Sequence, residues 1–216
     1  MAVRPVFVAQ GAKPFVKTEN TEFRFYPGFA LSQSRKSIES LHAAFVAGNP
    51  EYAGKVLEIS TKSDTPLGVR LSAFNLLYRL SDGRKRCVEN VFQAGKRFSD
   101  GNQYTEIMDL PASEAKRFPA LRTSGAVVGF RLEGMDFPAE PKRLFYHWLY
   151  VRALSQDRQL ADEVTAYRAF TDIVFNPQKS LNCQARSAAL FVALKETGLL
   201  EEAVSSPERF AEIVFE

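Results

Sequence analysis

The hydrophobic positions of the chain repeat with a helical period in several stretches. Ile38, Leu41 and Phe45 recur at intervals of three and four residues and Gly48 follows them, so the pattern predicts a helix over residues 34–47. The same reasoning predicts further helices over residues 87–98, 113–118, 160–167 and 184–197, a long helix that opens at Pro141, and a terminal helix capped by Ser206.

Other stretches show the patterns of extended chain. Phe23 and Phe25 alternate with charged neighbours, which is typical of a strand with one buried face. Gly83 follows Asp82 in a polar stretch, which predicts a turn with positive φ at the glycine. Together the elements predict a helix-rich α+β fold with a few short antiparallel strands. Because no Pro-, Gly- or Ser-rich linker divides the sequence, we expect a single domain over residues 1–216. Extended segments are also predicted over residues 55–60, 69–80, 127–132 and 172–175.

Composition narrows the class of protein without identifying it. Of the 216 residues, 45% are hydrophobic and 25% are charged, which excludes a disordered or collagen-like chain. The net charge of +3 does not by itself indicate a nucleic-acid-binding protein, although a local basic patch can still bind one. The longest apolar run, residues 188–194, is too short to cross a bilayer, and the N-terminus lacks a secretory pattern. Since the two cysteines form no disulfide framework, we expect a cytoplasmic protein that does not associate with membranes.

Several common catalytic and cofactor motifs are missing from the sequence. It contains no Walker-type phosphate loop, no GxGxxG after a strand and no GxSxG elbow. The two histidines and two cysteines do not cluster, so we expect no metal site. Cys183 with His147 is the remaining candidate for a nucleophile and its base. We discount this pair, because a lone cysteine at a helix start is more often a small buried hydrophobic residue.

The predicted helix over residues 87–98 is the most informative segment. Glu89 and Lys96 are seven residues apart, and both lie beside the apolar stripe of Val88 and Phe92. A carboxylate and an ammonium at the border of a core are partly desolvated, which shifts pKa values toward catalytic use. The alternative is purely structural, with Glu89 paired locally and Lys96 extended into water. Composition alone leaves both interpretations open.

Two further stretches are polar where a core element needs no polar groups. Ser72, Phe74 and Asn75 precede the turn that leads into this helix, and strand-end hydrogen bonding is the structural alternative for them. Asn182 and Arg186 lie at the start of the helix predicted over residues 184–197. Asn182 can serve as an ordinary N-cap, or the helix N-terminus with Arg186 can receive a phosphate.

A family resemblance emerges from these segments. The sequences LSAF at residues 71–74, DG at 82–83 and VENVFQAGK at 88–96 resemble the core signature of the NADAR superfamily. More closely, VLEISTKSDTPLGVRLSAFNL, FTDIVFNPQKS and NCQARSAALFVAL are similar to NADAR antitoxins that accompany DarT-type DNA ADP-ribosyltransferase toxins. This closer resemblance extends from about residue 21 to residue 200.

The resemblance implies an N-glycosidase that removes ADP-ribose from guanine in DNA and acts as the antitoxin of a DarT-type toxin in phage defence. The implied partners are ADP-ribosylated DNA, free ADP-ribose and the cognate toxin, and no cofactor or metal is implied. It further implies that Glu89 stabilises positive charge on the ribose, that Lys96 binds as a cation or forms a Schiff base, and that Asp172 orients ribose or water. The implied substrate-binding residues are Ser72, Phe74, Asn75, Gln93, Asn182, Gln184 and Arg186.

The sequence departs from the family pattern at two places. Ala73 occupies the place of the Asn in the LSNF-like strand, with Asn75 two residues further on. Asp172 is followed by Ile173 where many relatives have Trp-Gly. Two other functions fit the resemblance: a non-catalytic antitoxin that occludes its toxin, and an N-glycosidase of a nucleotide-like metabolite.

Overall fold

The computed structural model describes residues 1–178 and 180–216. The helix-rich α+β fold with short, mostly antiparallel strands is confirmed. The chain divides into two compact units, one of residues 1–72 with 158–200 and one of residues 73–157 with 201–216. The single domain over residues 1–216 stays a prediction. Within the described residues, no helix combines the length and the hydrophobicity needed to span a membrane.

The described residues form strands and helices that are interspersed along the chain. The strands are β1 (Ala2–Ala9), β2 (Val16–Phe23), β3 (Val56–Glu58), β4 (Leu77–Arg79), β5 (Lys85–Cys87), β6 (Lys96–Phe98), β7 (Val127–Leu132), β8 (Met135–Pro138) and β9 (Ala169–Thr171). The helices are α1 (Leu31–Gly48), α2 (Pro66–Arg70), α3 (Val88–Ala94), α4 (Ala112–Ala115), α5 (Leu144–Ser155), α6 (Arg158–Glu163), α7 (Gln184–Glu196), α8 (Leu200–Ala203) and α9 (Pro207–Phe215). Short 3₁₀ turns occupy Pro50–Tyr52, Thr105–Asp109, Pro119–Arg122 and Val164–Ala166.

The first unit is built on a four-stranded sheet in the order β2-β1-β9-β3, in which β3 and β9 are parallel. Val6 and Val8 of β1 pack with Ile38 and Leu41 of α1, and these are the positions that the helical spacing predicted to be buried. Successive side chains of a strand point to opposite faces. Phe7 therefore points to the other face, where α7 packs against β1 and β9. The sheet is covered by a helix on each face.

The second unit has a core rich in aromatic rings. Its three-stranded sheet has the order β6-β7-β8, and α5 packs on β8. The rings of Phe130 and Phe145 stack with centroids 4.8 Å apart, and the centroids of Phe137 and Trp148 lie 5.0 Å apart. Offset and tilted pairs of this kind add about 0.5–1.5 kcal/mol each beyond area burial.

The strand predicted over residues 69–80 is wrong in its first half. Residues Pro66–Arg70 form α2, because the Thr65 hydroxyl accepts a hydrogen bond from the Gly68 N–H and Pro66 occupies the first helical position. Only Leu77–Arg79 are extended, as β4. The predicted turn after β4 is confirmed, with φ of +86° at Gly83.

The helix predicted over residues 87–98 ends early. It stops at Ala94, and Lys96–Phe98 pair with β7 as β6. Gly95 explains the break: its carbonyl accepts a hydrogen bond from Arg131 N–H at 2.7 Å, and a Cβ there would lie 2.8 Å from the Phe145 ring. Glu89 and Lys96 therefore do not share a helical face, contrary to the prediction.

Other boundaries also differ from expectation. The long helix begins at Leu144 rather than at Pro141. The N-terminal strand β1 was not predicted, although its run of Val and Phe residues is typical of strands. The strand expected over residues 172–175 instead covers Ala169–Thr171. The terminal helix is confirmed, since the Ser206 hydroxyl caps it through Arg209 N–H.

Candidate functional site

The first turn of α3 is joined to the segment that precedes it. Glu89 N–H donates to the Ala73 carbonyl, and Val88 N–H donates to the Leu76 carbonyl, both at 2.9 Å. The segment between these carbonyls contains Phe74, which is half-buried, and Asn75, which is exposed. Both predicted binding residues are thereby held against the helix start that carries Glu89.

The Phe74 ring has a cation beside it. The Lys116 ammonium lies 5.4 Å from the ring centroid, in the range of a cation–π contact. The implied substrate-binding residue Phe74 thus already contacts a cationic neighbour.

Glu89 and Gln93 form a buried polar pair on α3. Their exposed fractions are 6% and 7%, and Gln93 Nε2 donates to Glu89 Oε1 at 2.9 Å. The carbonyl oxygen Gln93 Oε1 is buried and has no hydrogen-bond partner among the described residues. A buried acceptor without a donor costs on the order of 1–3 kcal/mol. The pair can therefore gain stability from a ligand that supplies an N–H or O–H.

Lys96 lies on β6, just beyond the end of α3. Burial lowers the pKa of its ammonium, the negative charge of Glu89 opposes that change, and the positive charge of Lys116 adds to it. The Lys96 Nζ atom is 5.2 Å from the centroid of the Phe92 ring. The prediction that Lys96 sits at the border of a core is confirmed, although it reaches that border from a strand rather than from the helix.

A buried asparagine that was not predicted from sequence fixes the position of α3. The Asn90 side chain is 3% exposed, and its amide nitrogen points at the carbonyls of Ile107, Met108 and Leu110 at 2.6–3.3 Å. Its carbonyl oxygen accepts a hydrogen bond from the Cys87 thiol at 3.1 Å. Asn90 therefore locks the turn that presents Glu89. A polar residue inside an apolar helical stripe is the sequence signal that marks it.

Asp172 belongs to the other unit and lies directly after β9. It is 8% exposed, and its Oδ1 atom accepts hydrogen bonds from the N–H groups of Val174 and Phe175, both at 3.1 Å. These bonds form a turn, which is why residues 172–175 are not a strand. The Gln184 amide also hydrogen-bonds to Asp172 and donates to the Ile59 carbonyl at 2.7 Å. The structure thus brings together two of the predicted site residues.

A second buried carboxyl group lies next to Asp172. Glu58 on β3 is 1% exposed, and its two oxygens accept hydrogen bonds from the Thr171 hydroxyl at 2.6 Å and from Ile173 N–H at 2.9 Å. Burial and the charge of Glu58 raise the pKa of Asp172 to about 7. Burial also raises the pKa of Glu58 itself. Asp172 can therefore hold or release a proton near neutral pH.

Glu58 was not among the residues predicted from sequence. It lies in the predicted strand over residues 55–60 between the apolar residues Leu57 and Ile59. A carboxylate inside such a strand needs a partner, and this requirement is the signal that could have identified it. Its hydroxyl partner Thr171 is 113 positions away in the sequence, so the contact itself has no local signature.

His42 extends this arrangement. Its Nε2 atom is 2.8 Å from Thr171 Oγ1. Because the Thr171 hydroxyl donates to Glu58, the His42 ring must donate through Nε2–H. Burial lowers the pKa of His42 to about 4, so the ring is neutral at physiological pH. His42 and Glu58 also line a pocket of about 490 Å³ together with Glu39, Asp64, Thr65 and Tyr167.

The remaining predicted residues lie in the same unit as Asp172. Ser72 is fully buried, whereas Asn182 is half-buried. Arg186 on α7 donates to the Thr18 hydroxyl at 2.9 Å, and its guanidinium lies 5.8 Å from the Phe7 ring centroid. The suggestion that Asn182 caps α7 is wrong, because Cys183 is the N-cap residue, and its side chain makes no capping hydrogen bond.

The structure also bears on the cysteine nucleophile and on metal binding. Cys183 is 2% exposed, and burial raises the pKa of its thiol, so it is not an activated nucleophile. Within residues 1–178 and 180–216, no group of three His, Cys, Asp or Glu side chains is arranged to hold a metal ion.

Comparison with known protein families shows to which family the chain belongs. The family model of the DarT1-associated NADAR antitoxin matches residues 2–216, nearly the whole chain. None of the curated proteins matches the chain. The match extends through both units, and it includes the helix start with Glu89 and the turn with Asp172. The chain therefore belongs to the family of DarT1-associated NADAR antitoxins.

Proposed function

We propose that this antitoxin is an enzyme that hydrolyses the N-glycosidic bond between ADP-ribose and a guanine base of DNA, and so reverses the modification made by its DarT-type toxin. The family match supports the antitoxin role and the toxin as its partner. The observation that carries the enzymatic proposal is the buried Glu89–Gln93 pair, with an acceptor oxygen lacking a donor, and Lys96 as its electrostatic neighbour.

The proposed role of Glu89 follows from the charge that develops in the reaction. Cleavage of an N-glycosidic bond builds positive charge on C1 and the ring oxygen of the ribose. A buried carboxylate that is already positioned stabilises this charge without the cost of reorganising solvent. Gln93 fixes one oxygen of Glu89, and its own free carbonyl oxygen is suited to accept a hydrogen bond from a ribose hydroxyl or a base N–H.

Lys96 supplies a second route. Opening of the ribose ring yields an iminium between C1 and the guanine nitrogen, with the electron pair of the broken C–O bond on the former ring oxygen. The neutral Lys96 amine attacks C1, the guanine amine takes a proton and leaves, and a lysine imine remains. Water adds to the imine, releases ADP-ribose and restores the amine. The lowered pKa of Lys96 favours this route, and direct attack by water is its alternative.

Asp172 is proposed to handle the proton of the attacking water or of a ribose hydroxyl. A group with a pKa of about 7 is present in both protonation states at neutral pH, which suits general acid–base catalysis. The Val174 and Phe175 N–H groups and the Gln184 amide orient its carboxyl group.

The direct test uses an oligonucleotide that carries ADP-ribose on a single guanine. We expect the protein to release free ADP-ribose and to regenerate the unmodified oligonucleotide, as followed by mass spectrometry. An ADP-ribosylated guanosine nucleoside serves as a second substrate. Preferential cleavage of the nucleoside would replace DNA by a metabolite as the substrate. Protection from the toxin with no cleavage of either substrate would overturn the enzymatic proposal in favour of an antitoxin that acts by binding.

A further inference from the structure

Asp172 is held through its two neighbours in the chain. The Thr171 hydroxyl and the Ile173 N–H, which flank Asp172, both bind the carboxyl group of Glu58. Because Glu58 accepts a hydrogen bond from the residue on each side of Asp172, the orientation of the Asp172 carboxyl group depends on Glu58. β3 and β9 are parallel and pair Glu58 with Thr171, so the sheet holds these two residues side by side.

His42 completes the arrangement from α1. Its Nε2–H donates to the Thr171 oxygen, and Thr171 in turn donates to Glu58, so the three side chains form one directed hydrogen-bond chain. Because Thr171 is fully buried, its hydroxyl has no access to bulk water as a substitute partner. The Glu58 carboxyl group, which is hydrogen-bonded to Thr171 and Ile173, therefore cannot rotate without breaking at least one buried hydrogen bond.

We propose that the chain His42–Thr171–Glu58 is a positioning device for the reaction, in which Glu58 orients Asp172 and sets the electrostatic environment of its carboxyl group. This inference rests on the proposed function of Asp172. Glu58 touches no reacting atom in this scheme and acts only through Asp172 and its neighbours. The arrangement resembles the partner groups that orient catalytic side chains in other enzymes, whose removal costs activity more than stability.

Asp64 and Cys183 also lie near Glu58 and Asp172. Asp64 acts on both Glu58 and His42 through its charge, and the Cys183 thiol lies close enough to respond to Asp172 and Glu58. The thiol is neutral, because burial raises its pKa. Glu58 is the charged neighbour that acts on Asp172 directly, and its charge favours the protonated form of that carboxyl group.

The charge of Glu58 and the hydrogen-bond chain can be tested separately. Glu58→Gln removes the carboxylate, and we expect the pKa of Asp172 to fall but to stay above the ordinary value of an aspartate, because burial, the larger cause, remains. ¹³C NMR of labelled aspartate side chains in the folded protein, assigned through Asp172→Asn, measures this titration without any need for activity. Thr171→Val keeps the volume but breaks the chain, and we expect kcat to fall by about 10-fold or more with little change in KM. Thr171→Ser should restore most of the rate.

Controls keep the outcome decisive. Glu39→Gln changes an exposed glutamate of the same pocket, and it should alter neither the titration nor the rate. An unshifted Asp172 pKa in Glu58→Gln, or full kcat in a folded Thr171→Val protein, would overturn the proposal. If the wild type cleaves no ADP-ribosylated substrate, the function proposed above fails. The NMR titration then still decides whether Glu58 controls Asp172.

Discussion

The surroundings of Glu89 and Asp172 differ in the charge that each carboxyl group meets. Glu89 accepts a hydrogen bond from Gln93 and has the basic side chain of Lys96 as an electrostatic neighbour. Burial, together with the charge of the neighbouring Glu58 carboxyl group, raises the pKa of Asp172 to about 7. In the proposed reaction the two carboxyl groups therefore take different tasks, because their environments differ.

The two surroundings also differ in how they are held. α3 is fixed by Asn90, which binds three carbonyls of one neighbouring turn within about 20 positions in the sequence. Asp172 is fixed by Glu58 across more than 100 positions. The first arrangement is local and the second depends on a completed sheet, so we expect damage to the sheet to affect Asp172 first.

The largest expected effect comes from Lys96→Arg. If Lys96 forms the imine, the arginine variant should lose activity by on the order of 10³-fold or more, because a guanidinium stays protonated and cannot attack C1. Borohydride added during turnover should then trap an ADP-ribosyl adduct on Lys96 of the wild type, detectable by mass spectrometry of peptides. Lys142→Arg, on an exposed lysine of the same unit, is the matched control. Near-full activity of the Lys96 variant without a trapped adduct would leave direct water attack as the route.

Glu89→Gln tests the other member of this pair. The substitution keeps the shape and removes the charge, so we expect folding to be normal and kcat to fall on the order of 10²–10³-fold. The rate of ADP-ribose release measures the loss, and Glu114→Gln on an exposed position of α4 should leave it unchanged. Wild-type turnover in a folded Glu89→Gln protein would contradict the role of Glu89. Retained protection against the toxin by that inactive variant would instead indicate a function through binding.

The two regions were not equally predictable from sequence. Glu89 and Lys96 stand out because a charged residue beside an apolar stripe is visible locally, and the resemblance marks the same residues. The end of α3 was missed, since the hydrogen bond from Arg131 N–H to the Gly95 carbonyl and the pairing of β6 with β7 join residues more than 30 positions apart. Glu58 was missed because its hydrogen-bond partners come from the other end of the chain.

A third case shows the limit of local patterns. The Thr65–Pro66 start signal of α2 was present in the sequence, but the alternating apolar residues that follow it favoured a strand. The helix forms there because Thr65 caps it. Gly68 of α2 also lies in close contact with Glu58 and Ser63. A Cβ on Gly68 would overlap the Glu58 carbonyl oxygen and the Ser63 hydroxyl.

Gly68→Ala measures how strongly the Glu58 region depends on this contact. The added methyl group meets the backbone carbonyl of Glu58 as well as the Ser63 side chain, so we expect a loss of about 1–3 kcal/mol in the free energy of unfolding. Gly48→Ala, at a position with open space and ordinary backbone, should leave stability nearly unchanged. Denaturant unfolding measures both variants. A Gly68→Ala protein as stable as wild type would show that β3 and α2 adapt, and would weaken the view of Glu58 as rigidly placed.

The pH dependence of stability in Asp172→Asn tests the carboxyl group of Asp172 itself, without any need for activity. The pKa of Asp172 is about 7 in the folded protein and close to 3.8 in the unfolded chain. Between these values the unfolded chain has released the proton and the folded protein still holds it. The wild type therefore loses stability as the pH rises from about 4 to 7, and the loss is constant above that window. Asp172→Asn removes this contribution, so its melting temperature should rise relative to that of the wild type between pH 4 and pH 7, by on the order of 10 °C over this window. A constant difference between Asp172→Asn and the wild type across this pH range would mean that Asp172 is already ionised at pH 4 in the folded protein, and would remove the contrast between the two sites.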